Sequence, residues 1–137
     1  MSTILVDNLT GKTSAGSITV TSEGGAATQS LQQGLAKVWG AFEQSGTQTF
    51  YDSFNMASIT DLGTGLSQLT MSSIMSNANY ASVGCSGEQS GGGNRVMGVR
   101  GSAGLTTSSI VFANYALSTG SISDDTRLSA SLLGDLA

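Results

Sequence analysis

From residue 46 onward the chain alternates apolar and polar positions in short runs. Phe50, Asp52, Phe54 and Met56 oppose Tyr51, Ser53 and Asn55, while Ile110, Phe112 and Asn114 oppose Val111, Ala113 and Tyr115. Successive side chains on a strand point to opposite faces, so one face of each run is apolar enough for a core. Runs near 49–59, 66–75, 79–86, 94–101, 107–117 and 126–133 are β-prone, and Gly, Ser, Asn or Asp separate most of them. Strands recurring at roughly 8–15-residue intervals predict an antiparallel sandwich or barrel rather than a parallel α/β sheet. Asp61-Leu62-Gly63-Thr64-Gly65 reads as a hairpin loop, and Gly87 to Asn94 as the longest flexible loop.

The first part of the chain reads differently. Thr3–Val6 and Ser17–Thr21 are β-prone but separated by turn chemistry, with few large apolar side chains. Such a segment buries too little area to offset backbone ordering of about 1–2 kcal/mol per residue. Residues 1–33 are therefore expected to form an extended arm that pairs with something else, most economically with copies of itself. Residues 34–137 are expected to form the head. Between them Leu31, Leu35, Val38, Trp39 and Phe42 fall on a helical stripe, and Ser30 to Gln33 reads as a capping box. Gly34 and Gly40 oppose one long helix, since each interior glycine costs about 0.5–1 kcal/mol. The region is expected to split into a short helix or turn at 26–33 and a strand at 35–43.

Composition narrows the chemistry. Ser, Thr and Gly make up 57 of the 137 residues, and only 10% are charged. The 39% hydrophobic content supplies a core, so disorder is not expected. With no histidine, every mechanism using imidazole as base, proton shuttle or ligand is excluded. A net charge of −4 with scattered basic residues has the wrong sign for nucleic acid. No apolar run is long enough for a membrane-spanning helix, and no leader follows Met1, so neither membrane insertion nor secretion is expected. The complete lack of proline suits continuous ladders but leaves sheet edges to be protected by burial, for instance between subunits.

Candidate motifs mostly reduce to structure. Gly84-Cys85-Ser86-Gly87 lacks the final glycine of a nucleophile elbow, because position 88 is Glu. Asp124-Asp125 reads as a solvated turn in preference to a turn with local calcium affinity, and Cys85, the single cysteine, as a small buried side chain in preference to a reactive thiol. Tyr51, Tyr80 and Tyr115 suit sugar stacking if exposed and sheet packing otherwise. No constellation of carboxylates suggests a glycosidase pair, and no catalytic residue, metal site or cofactor is expected. The loop at Gly87 to Arg95 is either a binding tip or a slack connection. As a tip, Glu88, Gln89, Asn94 and Arg95 would be its polar contacts.

The stretch from 36 to 86 holds Ala36-Lys37-Val38-Trp39, Asp52-Ser53-Phe54-Asn55, Ser58-Ile59-Thr60-Asp61, Gly63-Thr64-Gly65 and Ser76-Asn77-Ala78-Asn79-Tyr80-Ala81. In order and spacing this resembles small tail-fibre or receptor-binding virion proteins of tailed, marine-type bacteriophages. The opening Ile4-Leu5-Val6-Asp7-Asn8 with Gly11 to Val20 is similar to their attachment segment, and Thr106–Phe112 and Leu128–Leu132 to their last two strands. Leu66-Ser67-Gln68-Leu69 is less aromatic, and Gly87 to Gly93 more glycine-rich, than that pattern. The resemblance implies a β-sandwich head, usually a homotrimer, joined to another virion protein through the N-terminal segment. The expected role is a non-enzymatic virion structural protein, a short tail fibre contacting a host glycan or outer-membrane protein. The alternative is a capsid-decorating protein without receptor binding.

Overall fold

A computed structural model describes residues 3–14, 17–22, 24–25, 27–87, 94–101 and 104–137. Among them the chain is all-β, with antiparallel pairing throughout and no helix. It divides into two compact units, Met1–Leu35 and Ala36–Ala137.

In the first unit, β1 (Thr19–Thr21) pairs antiparallel with β2 (Thr28–Ser30). Of the short helix or turn expected at 26–33, the helix is absent among the described residues: Thr28–Ser30 is strand, and a single turn follows it. Ser30 closes that turn, its carbonyl accepting from Gly34 N–H at 3.2 Å and its Oγ from Gln33 N–H at 3.5 Å. The β-prone run Thr3–Val6 forms no strand, and Ile4, Leu5, Val6 and Leu9 are all exposed.

The second unit contains two sheets. One has the order β4 (Thr49–Phe54), β3 (Val38–Glu43), β11 (Leu128–Leu133) and β7 (Ala81–Ser86). The other runs β5 (Met56–Gly63), β6 (Leu66–Met71) and β9 (Ser109–Ala116), and β8 (Arg95–Val99) and β10 (Ser121–Ile122) also pair with β9. Phe112 and Ala113 each have partners in both β6 and β8, so those two strands flank β9 on opposite edges.

A single apolar cluster draws on both sheets: Val38, Phe42, Leu128, Ala130 and Leu132 from the first, and Leu69, Met71, Met97, Ile110 and Phe112 from the second. The period-2 reading of β9 holds for one face, with Ile110, Phe112 and Asn114 all essentially buried, but Ala113 on the opposite face is fully buried too. Gly40 interrupts the apolar face of β3 for a packing reason. A Cβ there would stand 3.2 Å from the Phe50 ring, which covers the strand at that point.

The run at 49–59 is two strands in different sheets, not one. Asn55 makes the corner at φ 58°, a conformation that asparagine tolerates better than most residues. Its Oδ1 accepts from Ser73 N–H at 2.6 Å, and its Nδ2 donates to the carbonyls of Lys37 and Ser73. The alternation expected across this run also fails. Ala41 pairs with Asp52 but Phe42 with Phe50, so Tyr51 is an extra residue in a bulge. One extra residue flips the parity beyond it. Phe50 packs on the core, whereas Asp52 and Phe54 face solvent.

Tyr80 closes the far side of the core. It is buried, with its hydroxyl 3.0 Å from Thr106 O and 3.2 Å from Ser109 O. Burial raises its pKa above the ordinary 10.0. Above pH 10 the unfolded chain therefore ionises this phenol before the folded one does, and the folded state holds more protons. Stability is expected to be constant with respect to this group below pH 10 and to fall as pH rises beyond it. Urea midpoints between pH 8 and 11 check this, and Tyr80→Phe is expected to flatten the decline.

Candidate functional site

The loop from Gly87 to Asn94 connects β7 in one sheet to β8 in the other, so its two stems arrive from different layers. Glu88 and Gln89, expected as contact residues, lie outside the described residues. Asn94 is exposed at the second stem, its carbonyl accepting from Leu117 N–H at 2.9 Å. Arg95 does not share that exposure. Its side chain is 11% exposed and turns inward, with Nε 3.7 Å from Asp125 Oδ2. Of the four residues, the structure leaves Asn94 on the surface and assigns Arg95 to the loop's foundation.

That foundation is built around Asp125. The residue is fully buried and follows β10, in the segment that returns to β11. Its Oδ2 accepts from Ser86 Oγ at 2.7 Å, at the end of β7, and faces Arg95 at the start of β8. Its Oδ1 accepts from Thr126 N–H at 2.7 Å, and its carbonyl accepts from Gln44 N–H at 2.8 Å. One carboxylate thus ties both stems of the loop. Gly87 N–H adds a 2.6 Å bond to Arg127 O on the first stem. The expectation of a solvated Asp124-Asp125 turn is corrected: a carboxylate in the interior persists only with a cation and hydrogen-bond donors around it, and the fold supplies them.

Behind the clamp the interior stays polar. Ser67 Oγ donates to Gln48 Oε1 at 2.6 Å and accepts from Gln44 Nε2 at 3.0 Å, while Gln48 Nε2 reaches Asp61 Oδ1 and Leu66 O. Asn114 Nδ2 donates to Ser123 O at 2.9 Å. The apolar core therefore stops short of this end, and hydrogen bonds hold the layers where the loop emerges.

On the outer side of the four-stranded sheet Tyr51 projects from its bulge. Its hydroxyl lies 2.7 Å from Thr126 O and 2.9 Å from Glu43 Oε2, and the Arg127 guanidinium sits 4.8 Å from its ring centroid. The hydrogen bond to Glu43 raises the phenol's pKa, because only the protonated phenol can donate it, and the nearby carboxylate also disfavours a second anion. Tyr51 is thus exposed, unlike Tyr80, and beside it Trp39 and Phe54 are exposed too. Cys85 also lies on this outer face and is exposed, which corrects the expectation of a buried thiol. The half-buried Ser82, Gly84 and Ser86 take the opposite, inward face of β7, which leaves Cys85 outward.

Two sequence signals bear on what was missed. Trp39 alternates with inward Val38 and Gly40, so its exposure follows once β3 is recognised as a strand. The exposure of Phe54 required knowledge of the bulge. Among the described residues no cluster of three or more His, Cys, Asp or Glu is placed to hold a metal ion. No protein-family model matches the chain, and no curated protein or solved structure is significantly similar to it.

Proposed function

We propose that this chain is a non-enzymatic virion structural protein, a short tail fibre or similar appendage whose head contacts the host surface. The head is a β-sandwich that works as a homotrimer, and the N-terminal segment attaches it to another virion protein. The observation that carries the reading is the state of that segment: Ile4, Leu5 and Val6 are 81%, 89% and 59% exposed. Consecutive large apolar side chains left in water fit a segment that another chain covers. A Ser/Thr/Gly-rich, charge-poor surface on an all-β unit suits repeated weak polar contacts, which several linked copies convert into avidity.

The test is to locate the protein by cryo-electron imaging of the particle that carries it and to weigh the purified chain by light scattering. Density at the tail and a mass of three chains are the expected results. Density over the capsid shell replaces the appendage with a decoration protein, and a monomer at micromolar concentration removes the trimer.

A further inference from the structure

The register of the four-stranded sheet places Phe54 opposite Trp39, Trp39 opposite Ser131, and Ser131 opposite Val83. These four outward side chains form one row across the sheet, about 14 Å long at the usual strand spacing. The next row is Asp52, Ala41, Ser129 and Cys85. Small side chains at Ala41, Ser129 and Ser131 keep the floor low beside two neighbouring aromatic groups. Trp39 is 39% exposed and Phe54 53%. Asp52 spends one carboxylate oxygen on Ser53 N–H at 2.8 Å, and it is the only charged side chain in the two rows.

We propose that this face binds a neutral, hydroxyl-rich glycan, with Trp39 and Phe54 as the stacking floor and Asp52, Ser129 and Ser131 as hydroxyl partners. The face of a sugar ring that carries C–H groups is apolar and fits the negative face of an aromatic ring, whereas its rim needs acceptors and donors. Both requirements occur here within two adjacent rows. A second copy of the chain fits less well. Two partly exposed aromatics and Val83 offer apolar area on the order of 300 Å², against about 450 Å² per partner, the non-polar share of a standard stable protein interface. An anionic glycan is disfavoured because the only charged side chain in the two rows is the Asp52 carboxylate, and Arg127, the cation on the same face, is engaged with the Tyr51 ring. The inference rests on the host-contact reading for the source of the glycan, but the binding itself is a property of the isolated chain.

Trp39 is the single tryptophan, so its emission reports this face alone. The experiment titrates the full chain with maltohexaose, cellohexaose, a mannan hexasaccharide and chitohexaose to millimolar concentration. A saturable emission shift with at least one of them is expected, about tenfold weaker in Phe54→Ala, the scale of one lost aromatic contact. Asp52→Asn is expected to weaken it as well, with urea midpoints of both variants near that of the parent. Calorimetry on Trp39→Phe supplies a readout that does not need the indole. No shift with any of the four sugars, or a shift unaltered by Phe54→Ala, overturns the proposal. So does a change of oligomeric mass in Phe54→Ala without sugar binding, which makes the face an interface between copies. Sugar binding by a protein that proves to lie on the shell keeps the platform and removes the host-contact reading. A protein located at the tail that binds no sugar does the reverse.

Discussion

Asp125→Ala is expected to destabilise the 36–137 unit by about 3–5 kcal/mol, the range for breaking a buried ion pair from one side. The substitution leaves Arg95 facing an interior with its carboxylate partner gone, and it frees the Ser86 hydroxyl and the Thr126 N–H together. Because this carboxylate holds both stems of the 87–94 loop, the stems are expected to loosen before the unit unfolds. Urea unfolding followed by Trp39 emission gives the first quantity, and amide exchange at Gly87 and Leu117 gives the second. Asp125→Asn, which keeps the shape and one acceptor, is expected to fall between the parent and the alanine variant. A loss below about 1 kcal/mol for Asp125→Ala would show that Arg95 is held elsewhere, since exposed pairs contribute no more than that.

Gly65→Ala is expected to rank near it, at about 2–5 kcal/mol, for a different reason. Gly65 lies at φ 66°, where an L side chain costs roughly 1–2 kcal/mol. A Cβ there would also press on the Ile122 side chain and stand 2.6 Å from Ser123 N and 3.0 Å from Asn114 O. Those backbone atoms belong to hydrogen bonds, Ser123 N–H to Asn114 O and Asn114 N–H to Gly65 O, so they cannot move aside cheaply. Overpacking adds about 1–3 kcal/mol. Gly120→Ala isolates the two causes: Gly120 has φ 68° but nothing within 4 Å of its would-be Cβ. It is expected to show the backbone penalty alone. Equal losses in the two variants would mean that the Ile122–Ser123 segment yields, and the packing part of the argument would fail.

The strongest sequence signals were those that depend on neighbours along the chain. The alternation in 109–116 located the buried face of β9, and the glycines of 63–65 located the hairpin between β5 and β6, whose register continues to Gly63 and Leu66. Gly34 and Gly40 argued correctly for a strand ending the ambiguous stretch, and β3 begins at Val38. The polar site was less legible. Asp125 looks like any acidic residue in a turn, because Ser86, Arg95 and Gln44 are distant in sequence. From the sequence Arg95 reads as a loop contact for the same reason: a charged residue beside glycines gives no sign of a buried partner thirty residues later.

The parity error at Tyr51 has a local cause with distant consequences. A bulge is a property of a pair of strands, visible only where Ala41 and Phe42 meet residues that are two apart. Its effect is to carry Phe54 from the core side to the face that also bears Trp39. The candidate platform therefore exists because of a pairing irregularity, and no period-2 reading of one strand could contain it.

By itself the sequence determined that this chain is all-β, that it lacks imidazole chemistry, and which face of β9 meets the core. Those follow from composition and from a two-residue period, both of which act within a single segment. The tertiary structure alone decided that Asp125 is a buried clamp, that Cys85 faces outward and that Trp39 and Phe54 share an exposed row. Each of these depends on which strands become neighbours. Burial and partnership arise from pairing between segments tens of residues apart, and a one-dimensional pattern does not contain them.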